Sequence, residues 1–489
     1  MSDFLSFTTG DPRVRRLNDR PLPTRGDYVL YWMQLARRGE DNAALAYAVE
    51  RANELGVPCV VYEALRPDYP YASDRIHAFV LQGARDSAAT LTERGIRHVF
   101  FLPRTPGEAR GVVGKLAARA RLVVSDDTPS FIIPAHNTAA AARVQCPFVV
   151  VDDCAVVPLA LLSKPEIGAR TIRPKVARAL SDWLRPIAEP RPKHAPPARL
   201  DLPFAPLDLT GLEVAAQLAS CAIDHEVPPV LELPGGSVAG LARLDHFVRG
   251  PLSSYATDRN DPSRDGTSAL SPYLHFGMVS ARRAALMATK WGAQGSEGRA
   301  AFLEQLLVRR ALSFNFARAR ADHASYSALP AWAQATLAEH ATDERYADLG
   351  LDDLEAARSP DPLWNAAMNE LRGRGVVHGY ARMLWGKLPM LWMRRPEDAY
   401  RAVVHLNDRW ALDGRDPNGY ANVAWCFGLH DRPWPKHRVF GAVRCMTSAS
   451  ARKKLDFEGY IERWSRGEAV ASVAGGGGGR TLGLFGGDR

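Results

Sequence analysis

Residues 27–65, DYVLYWMQLARRGEDNAALAYAVERANELGVPCVVYEAL, hold two short apolar runs, YVLYWM and VPCVVYEAL, on either side of an amphipathic stretch, DNAALAYAVERANEL. Short runs that are apolar at every position suit strands buried on both faces, and the stretch between them suits a crossover helix. The segment therefore reads as one β-α-β unit of a parallel sheet. Working outward, HVFFLP, RLVVSD and FVVVDD repeat the apolar signal up to about residue 160. An α/β domain with a Rossmann-like parallel sheet is expected over residues 27–185, preceded by an N-terminal extension, 1–26. No strand is followed by a GxGxxG turn, which argues against an ordinary NAD-binding domain.

Beyond residue 185 the pattern changes. EPRPKHAPPARLDLPFAPLDL is proline-rich and loses both the two-residue and the 3.6-residue periods, so 186–236 reads as an interdomain connector. GRAAFLEQLLVRRALSFNFARAR and PLWNAAMNELRGRGVVHGYARMLWGKL then show sustained helical periodicity, and an all-helical second domain is expected over 237–465. Residues 466–489 include five consecutive glycines, Gly475 to Gly479, and read as a flexible tail.

Composition sets outer limits. The 489 residues suffice for two cores, and 62 Lys+Arg against 54 Asp+Glu give a net charge of +8, compatible with a nucleic-acid partner without requiring one. Six scattered cysteines form no CxxC pair, so neither a metal site nor a disulfide framework is indicated and a reducing compartment is expected. No signal peptide and no membrane span are legible. A soluble cytoplasmic monomer is the expectation, nucleoid-associated when bound to DNA.

Four groups of residues can carry chemistry. Trp364, Trp385 and Trp392 are large indoles in consecutive helical segments; the last two are seven residues apart, one helical face, with Pro389 between them to bend the helix. From the residues alone, core packing is the favoured account of them, since indoles mostly serve as large apolar fillers. HLNDRWALDGRDPNGYANVAWCFGLHDRPW, 405–434, gathers Asn407, Asp408, Asp413, Arg415, Asp416 and Asn418, a density of hydrogen-bonding groups suited to a flat polar cofactor or simply to turns. TSALSPYLHFG, 267–277, sets three hydroxyls before a helix, a pattern that favours phosphate. Residues 432–454 interleave Arg432, Lys436, Arg438, Arg444, Arg452, Lys453 and Lys454 with Trp434 and Phe440, as either a DNA face or a solvated charge run would.

Together TSALSPYLHFG, DPLWNAA, HGYARMLW, LNDRWALDGRDPNGYANVAW, HDRPW and VFGAVRCM resemble the photolyase/cryptochrome superfamily, and in particular class II cyclobutane-dimer photolyases. The likeness is dense from about Leu252 to Trp464 and looser toward the N-terminus. It implies an α/β domain able to hold an antenna chromophore of deazaflavin or folate type, or none, and a helical domain that binds FAD. The implied activity is light-driven repair of cyclobutane pyrimidine dimers in double- or single-stranded UV-damaged DNA. By resemblance, Tyr255, Thr267, Ser268, Ala269, Leu270 and Ser271 hold the FAD phosphate and ribitol, and Arg382, Asn407, Asp413, Arg415 and Asn418 surround the rest. Trp385, Trp364 and Trp392 would pass electrons to the flavin, with Trp385 the nearest. Asn407, Met383 and position 305 would serve the reaction, and Arg259, Arg309, Trp425, Arg432, Arg444, Lys453 and Lys454 would meet DNA.

Two departures stand out. The family form of FLEQLLVRR, 302–310, has a second glutamate where this chain has Gln305, an amide that can donate a hydrogen bond but supplies no proton or charge. WCFGLHDRPW is one glycine shorter than the commoner form. These differences keep open a cryptochrome-like FAD photoreceptor without repair, or a photolyase with another lesion preference. The segment Thr481–Phe485, TLGLF, resembles the short apolar peptide by which bacterial repair proteins dock on the sliding clamp, and a chance apolar cluster accounts for it as well.

Overall fold

The computed structural model describes residues 4–197, 199–264 and 266–465, so the clamp-like segment Thr481–Phe485 and the glycine run lie outside the described residues. Strands β1 (Val14–Arg16), β2 (Tyr28–Met33), β3 (Cys59–Ala64), β4 (Arg97–Phe101), β5 (Ala120–Asp127) and β6 (Phe148–Asp152) form one sheet in the order β1-β6-β5-β2-β3-β4. β2 to β6 are parallel, and Val29 pairs with Cys59 on one side and Leu122 on the other. β1 adds an antiparallel edge, Val14 facing Val151, so the sheet is mixed and takes one strand from the segment read as an extension.

The quoted segment folds as its pattern dictates. Asn42 caps helix Ala43–Leu55 by accepting from the Leu45 N–H at 2.9 Å, and Gly56 ends it in the left-handed region, φ 70°. The two faces of the sheet bury separate cores, one around Tyr31, Val49 and Val61, the other around Leu30, Tyr62 and Phe148. That double burial is why the strands carry no polar alternation.

Residues 237–465 fold as helices, with no strand among those described. Helix Glu297–Leu303 runs through a π-helical turn, Glu304–Arg309, into helix Arg310–Ala319. Such turns insert one extra residue and frequently mark functional positions. The proline-rich connector is not a free tether. Leu200, Leu202 and Phe204 pack at two-residue spacing against the sheet core, with Phe204 stacked on Phe101 at 4.4 Å. Pro203 and Pro206 masked that short alternation in the sequence.

The domains share an apolar interface in which Phe79 meets Tyr273 and Phe276. Arg75 reinforces it from the α/β side. Fully buried, it donates to the carbonyls of Pro228, Leu371, Arg372 and Trp410, tying the C-terminal ends of helices Pro362–Arg374 and Pro396–Trp410 to the α/β domain. Among the described residues no helix is long and apolar enough to cross a membrane.

Candidate active site and lesion face

Helix Gly379–Lys387 organises the chemistry. From it Arg382 makes a bidentate pair with Asp413, both bonds 2.9 Å, and donates to Asn407 Oδ1 at 2.5 Å. Burial alone would raise the Asp413 carboxyl, yet the guanidinium outweighs it and holds the group below its usual range. Asn407 Nδ2 donates to Asp408 at 3.2 Å, leaving one amide hydrogen and one lone pair unused. Gly419 packs closely beside it, and a Cβ there would stand 3.1 Å from Asn407 Nδ2, tight enough to press on the amide. Asp408 in turn accepts from the Arg415 N–H and the Tyr420 hydroxyl, both at 2.8 Å. The amide of Asn407 is thus fixed at both ends before any ligand arrives.

Not every cofactor candidate joins this cluster in the same way. Arg415 turns its guanidinium onto the Asp408 and Ala411 carbonyls, and Asn418 donates from its backbone and its side chain to Asp416. Both shape the segment from within. Ser271 hydrogen-bonds Asp413, which ties the Thr267–Ser271 loop to the pair. The short helix Ser271–His275 has Leu270 at its N-cap and no capping side chain, so the hydroxyls of Thr267 and Ser268 are not consumed in capping. Ser268 Oγ accepts weakly from Leu270 N at 3.4 Å, and Ala269 sits at φ 47°. Gly266 lets the loop run against helix Tyr255–Asp258, because a Cβ would lie 2.6 Å from the Asp258 backbone. Tyr255 is buried edge-on against Phe247 and Phe302, with Arg259 5.8 Å from its ring centre.

The tryptophans form a continuous chain of neighbouring rings. Trp385 and Trp364 lie parallel at 6.5 Å, and Trp364 meets Trp392 edge-on at 5.5 Å. The shared helical face expected for Trp385 and Trp392 is not what joins them: helix Gly379–Lys387 ends first, a 3₁₀ turn containing Pro389 follows, and Trp364 bridges the pair from another helix. Trp364 Nε1 donates to the Trp385 carbonyl at 2.8 Å, so the middle indole is locked.

A second aromatic group lies on the surface. Arg444 lies 4.2 Å from the ring centre of Trp434 and 5.7 Å from that of Trp425, and Arg432 lies 5.3 Å from Trp434. Asp431 accepts two bonds from Arg444 and one from Trp434 Nε1, so one carboxylate sets the position of both. Much of the basic run is spent elsewhere: Lys436 pairs with Glu339, Arg438 with Glu344 and Arg452 with Glu458. Lys453 and Lys454 stand exposed after helix Ser448–Arg452.

Gln305 lies in the π-helical turn, half-buried, and its side-chain amide makes no hydrogen bond among the described residues. Its neighbour Glu304 is engaged by Arg173 and by exposed Arg309, and these cations outweigh partial burial to hold its carboxyl down. The free polar group of this turn is therefore the amide. Met383, half-buried, accepts at its carbonyl from Cys426 Sγ.

Sequence reasoning missed three participants: Asp408 as the anchor of Asn407, Asp431 as the anchor of Arg444, and Lys387, fully buried beside Trp425. It also missed a cavity of ≈ 330 Å³ between the domains. Trp32 and His136 flank it with parallel rings 6.2 Å apart, and Arg415 and Asp416 border it from the helical side. Burial, then Arg66, pushes His136 down to about 4, so its imidazole is neutral near pH 7.

Residues 29–196 match the family model described as DNA photolyase. The chain is 38% identical over 455 residues to the deoxyribodipyrimidine photo-lyase of Methanothermobacter thermautotrophicus, covering 92% of this chain and 97% of that protein. It is 34% identical over 467 residues to the deoxyribodipyrimidine photo-lyase of Potorous tridactylus, covering 92% and 84%. Among solved structures, the archaeal photolyase of Sulfolobus tokodaii with two FAD molecules matches with a TM-score of 0.63 at 19% identity, over 89% of each chain, a likeness of fold.

Proposed function

The chain belongs to the DNA photolyase family, and we propose that it is a class II enzyme that binds FAD and uses light to split cyclobutane pyrimidine dimers in UV-damaged DNA. The class rests on the motif likeness from Leu252 to Trp464. The activity rests above all on helix Gly379–Lys387, nine residues that touch three sites at once: Arg382 pairs with Asp413, Trp385 stacks on Trp364, and Lys387 lies against Trp425. Cofactor, electron route and lesion seat are then neighbours, as the reaction requires.

The donor set fits a flavin. Arg382, Asn407 and Asp413 form a charge-balanced, nearly buried surface with a prefixed amide, and the hydroxyls of Thr267 and Ser268, not consumed in capping, can serve a phosphate-bearing chain. When bound, FAD supplies light-driven donation of an electron to the dimer and takes the electron back once the cyclobutane bonds have broken. The chain's own residues do the rest. Trp425 offers an indole face for a flipped dimer, and Arg432 and Arg444 neutralise backbone phosphates. Extrusion costs a few kcal/mol and is cheapest for a lesion that already pairs poorly, so selectivity begins there. Gln305 donates its amide hydrogen to a pyrimidine carbonyl. The interdomain cavity, with the Trp32 and His136 rings parallel, suits a flat antenna chromophore of deazaflavin or folate type. Unpaired cysteines throughout fit a cytoplasmic setting.

The test is incubation of FAD-loaded, reduced protein with dimer-containing DNA in the dark and under blue light. Intact pyrimidines return only in the light, and DNA carrying 6-4 lesions stays damaged; light that leaves the dimers in place overturns the reading.

A further inference from the structure

Lys387 closes helix Gly379–Lys387 with its side chain wholly buried. Nζ donates to the Cys426 carbonyl at 2.7 Å and lies 5.2 Å from the centre of the Trp425 ring. Among the described residues no carboxylate pairs with it; the nearest candidate, Asp431, is held in a bidentate bond by Arg444. An ammonium kept in the interior with one neutral acceptor is costly, and a methionine would fill the same volume without that cost. The charge therefore has a use. What it faces is the indole of Trp425, whose π-system attracts a cation most strongly where water is excluded.

We propose that Lys387 is a positioning residue that holds the indole of Trp425 from the buried side, so that affinity for dimer-containing DNA depends on the charge of this one ammonium. The inference rests on the reading of Trp425 and Arg444 as lesion-binding residues. The groups facing Lys387 are Cys426, at the end of helix Pro417–Cys426, and Asp431, Arg444 and Cys445 from the segments that follow. Burial lowers Lys387 to about 8, with Cys426 and Asp431 working against the shift and Arg444 with it. Burial pushes the Cys426 thiol up to about 11 and raises Cys445, while Asp431, despite partial burial, is held down by Arg444 and stays ionised. Lys387 is thus the group that changes charge just above neutrality. Protonated at pH 7, it loses its charge through pH 8, and the grip on Trp425 weakens in the same interval.

The experiment measures affinity of the FAD-loaded protein for dimer-containing and undamaged oligonucleotides between about pH 6.5 and 9. Wild type is expected to lose about tenfold in lesion affinity across that range, with little change toward undamaged DNA. Lys387→Met should be weak and flat with pH, and Lys387→Arg should stay tight throughout because its cation does not titrate there. A flat wild-type profile overturns the proposal and requires no variant to fold; so does Lys387→Met binding the lesion like wild type. Trp425→Ala and Arg444→Ala separate the two levels. If both weaken lesion binding while Lys387→Met does not, only the role of Lys387 falls. If neither does, the lesion face itself is misassigned.

Discussion

Trp364, Trp385 and Trp392 meet ring to ring in a core with almost no exposure, whereas Trp425 and Trp434 sit half-buried at the surface among Arg432, Arg444 and Lys387. The side chain is the same, and its surroundings assign its work. In the inner group the rings touch one another and exclude both water and charge, which leaves a continuous path of π-systems beside Arg382. In the outer group each ring is partly exposed and has cations beside it, Arg444 on its Asp431 anchor next to both rings and Lys387 next to Trp425, a combination of aromatic surface and positive charge that suits a base. One helix, Gly379–Lys387, contributes to both, so the groups are adjacent yet separable by substitution.

The largest effect is expected inside. Trp364→Ala should cost about 3–5 kcal/mol of stability, because a fully buried indole leaves a cavity that its neighbours cannot close; chemical denaturation measures it. A loss no larger than that of a surface substitution would mean that the inner stack is loosely packed. Next comes the outer ring. Trp425→Ala should weaken binding of dimer-containing DNA by about 1–3 kcal/mol while changing stability by less than the inner substitution, read by titration and by thermal unfolding. Equal losses in both would erase the distinction between the groups.

Asp431→Asn should have a smaller effect, about 1 kcal/mol in lesion affinity, since Arg444 and Trp434 lose a charged anchor and keep a neutral one. The sign with pH follows from the depressed carboxyl: the anchor is complete above the ordinary aspartate range and is lost as pH falls through the lowered value. Lesion binding by wild type should therefore decline on acidification, while Asp431→Asn shows no such decline. Lys453→Ala and Lys454→Ala should do least, reducing damaged and undamaged binding alike and lowering the salt slope by about one each. A selective loss for damaged DNA would move these lysines from backbone contact into the lesion seat.

The apolar runs of β2, β3, β5 and β6 and the helical periods of the second half were legible in the sequence because each strand or helix declares its buried face locally. β1 was not, since VRR is three residues long and apolar at one. The Arg382–Asp413 pair was reachable through a family motif, and the structure adds that Asn407 is fixed between Arg382 and Asp408. The Asp431–Arg444 bond spans thirteen residues of irregular chain and leaves no periodic signal. Lys387 reads in sequence as an ordinary lysine at a helix end; only packing against Trp425 and Cys426 reveals its burial. The interdomain cavity depends on residues more than two hundred apart in the chain, such as His136 and Asp416, and no local pattern could have assembled it.

The division to be tested is that the inner indoles serve the cofactor and the outer ones the lesion. Its most direct test measures, in Trp385→Phe and Trp425→Ala, both photoreduction of the bound flavin and light-driven repair by chemically reduced protein. Trp385→Phe should lose photoreduction and keep repair, and Trp425→Ala should keep photoreduction and lose repair at limiting protein. Loss of both activities in both variants would contradict the division and return these tryptophans to a role in packing.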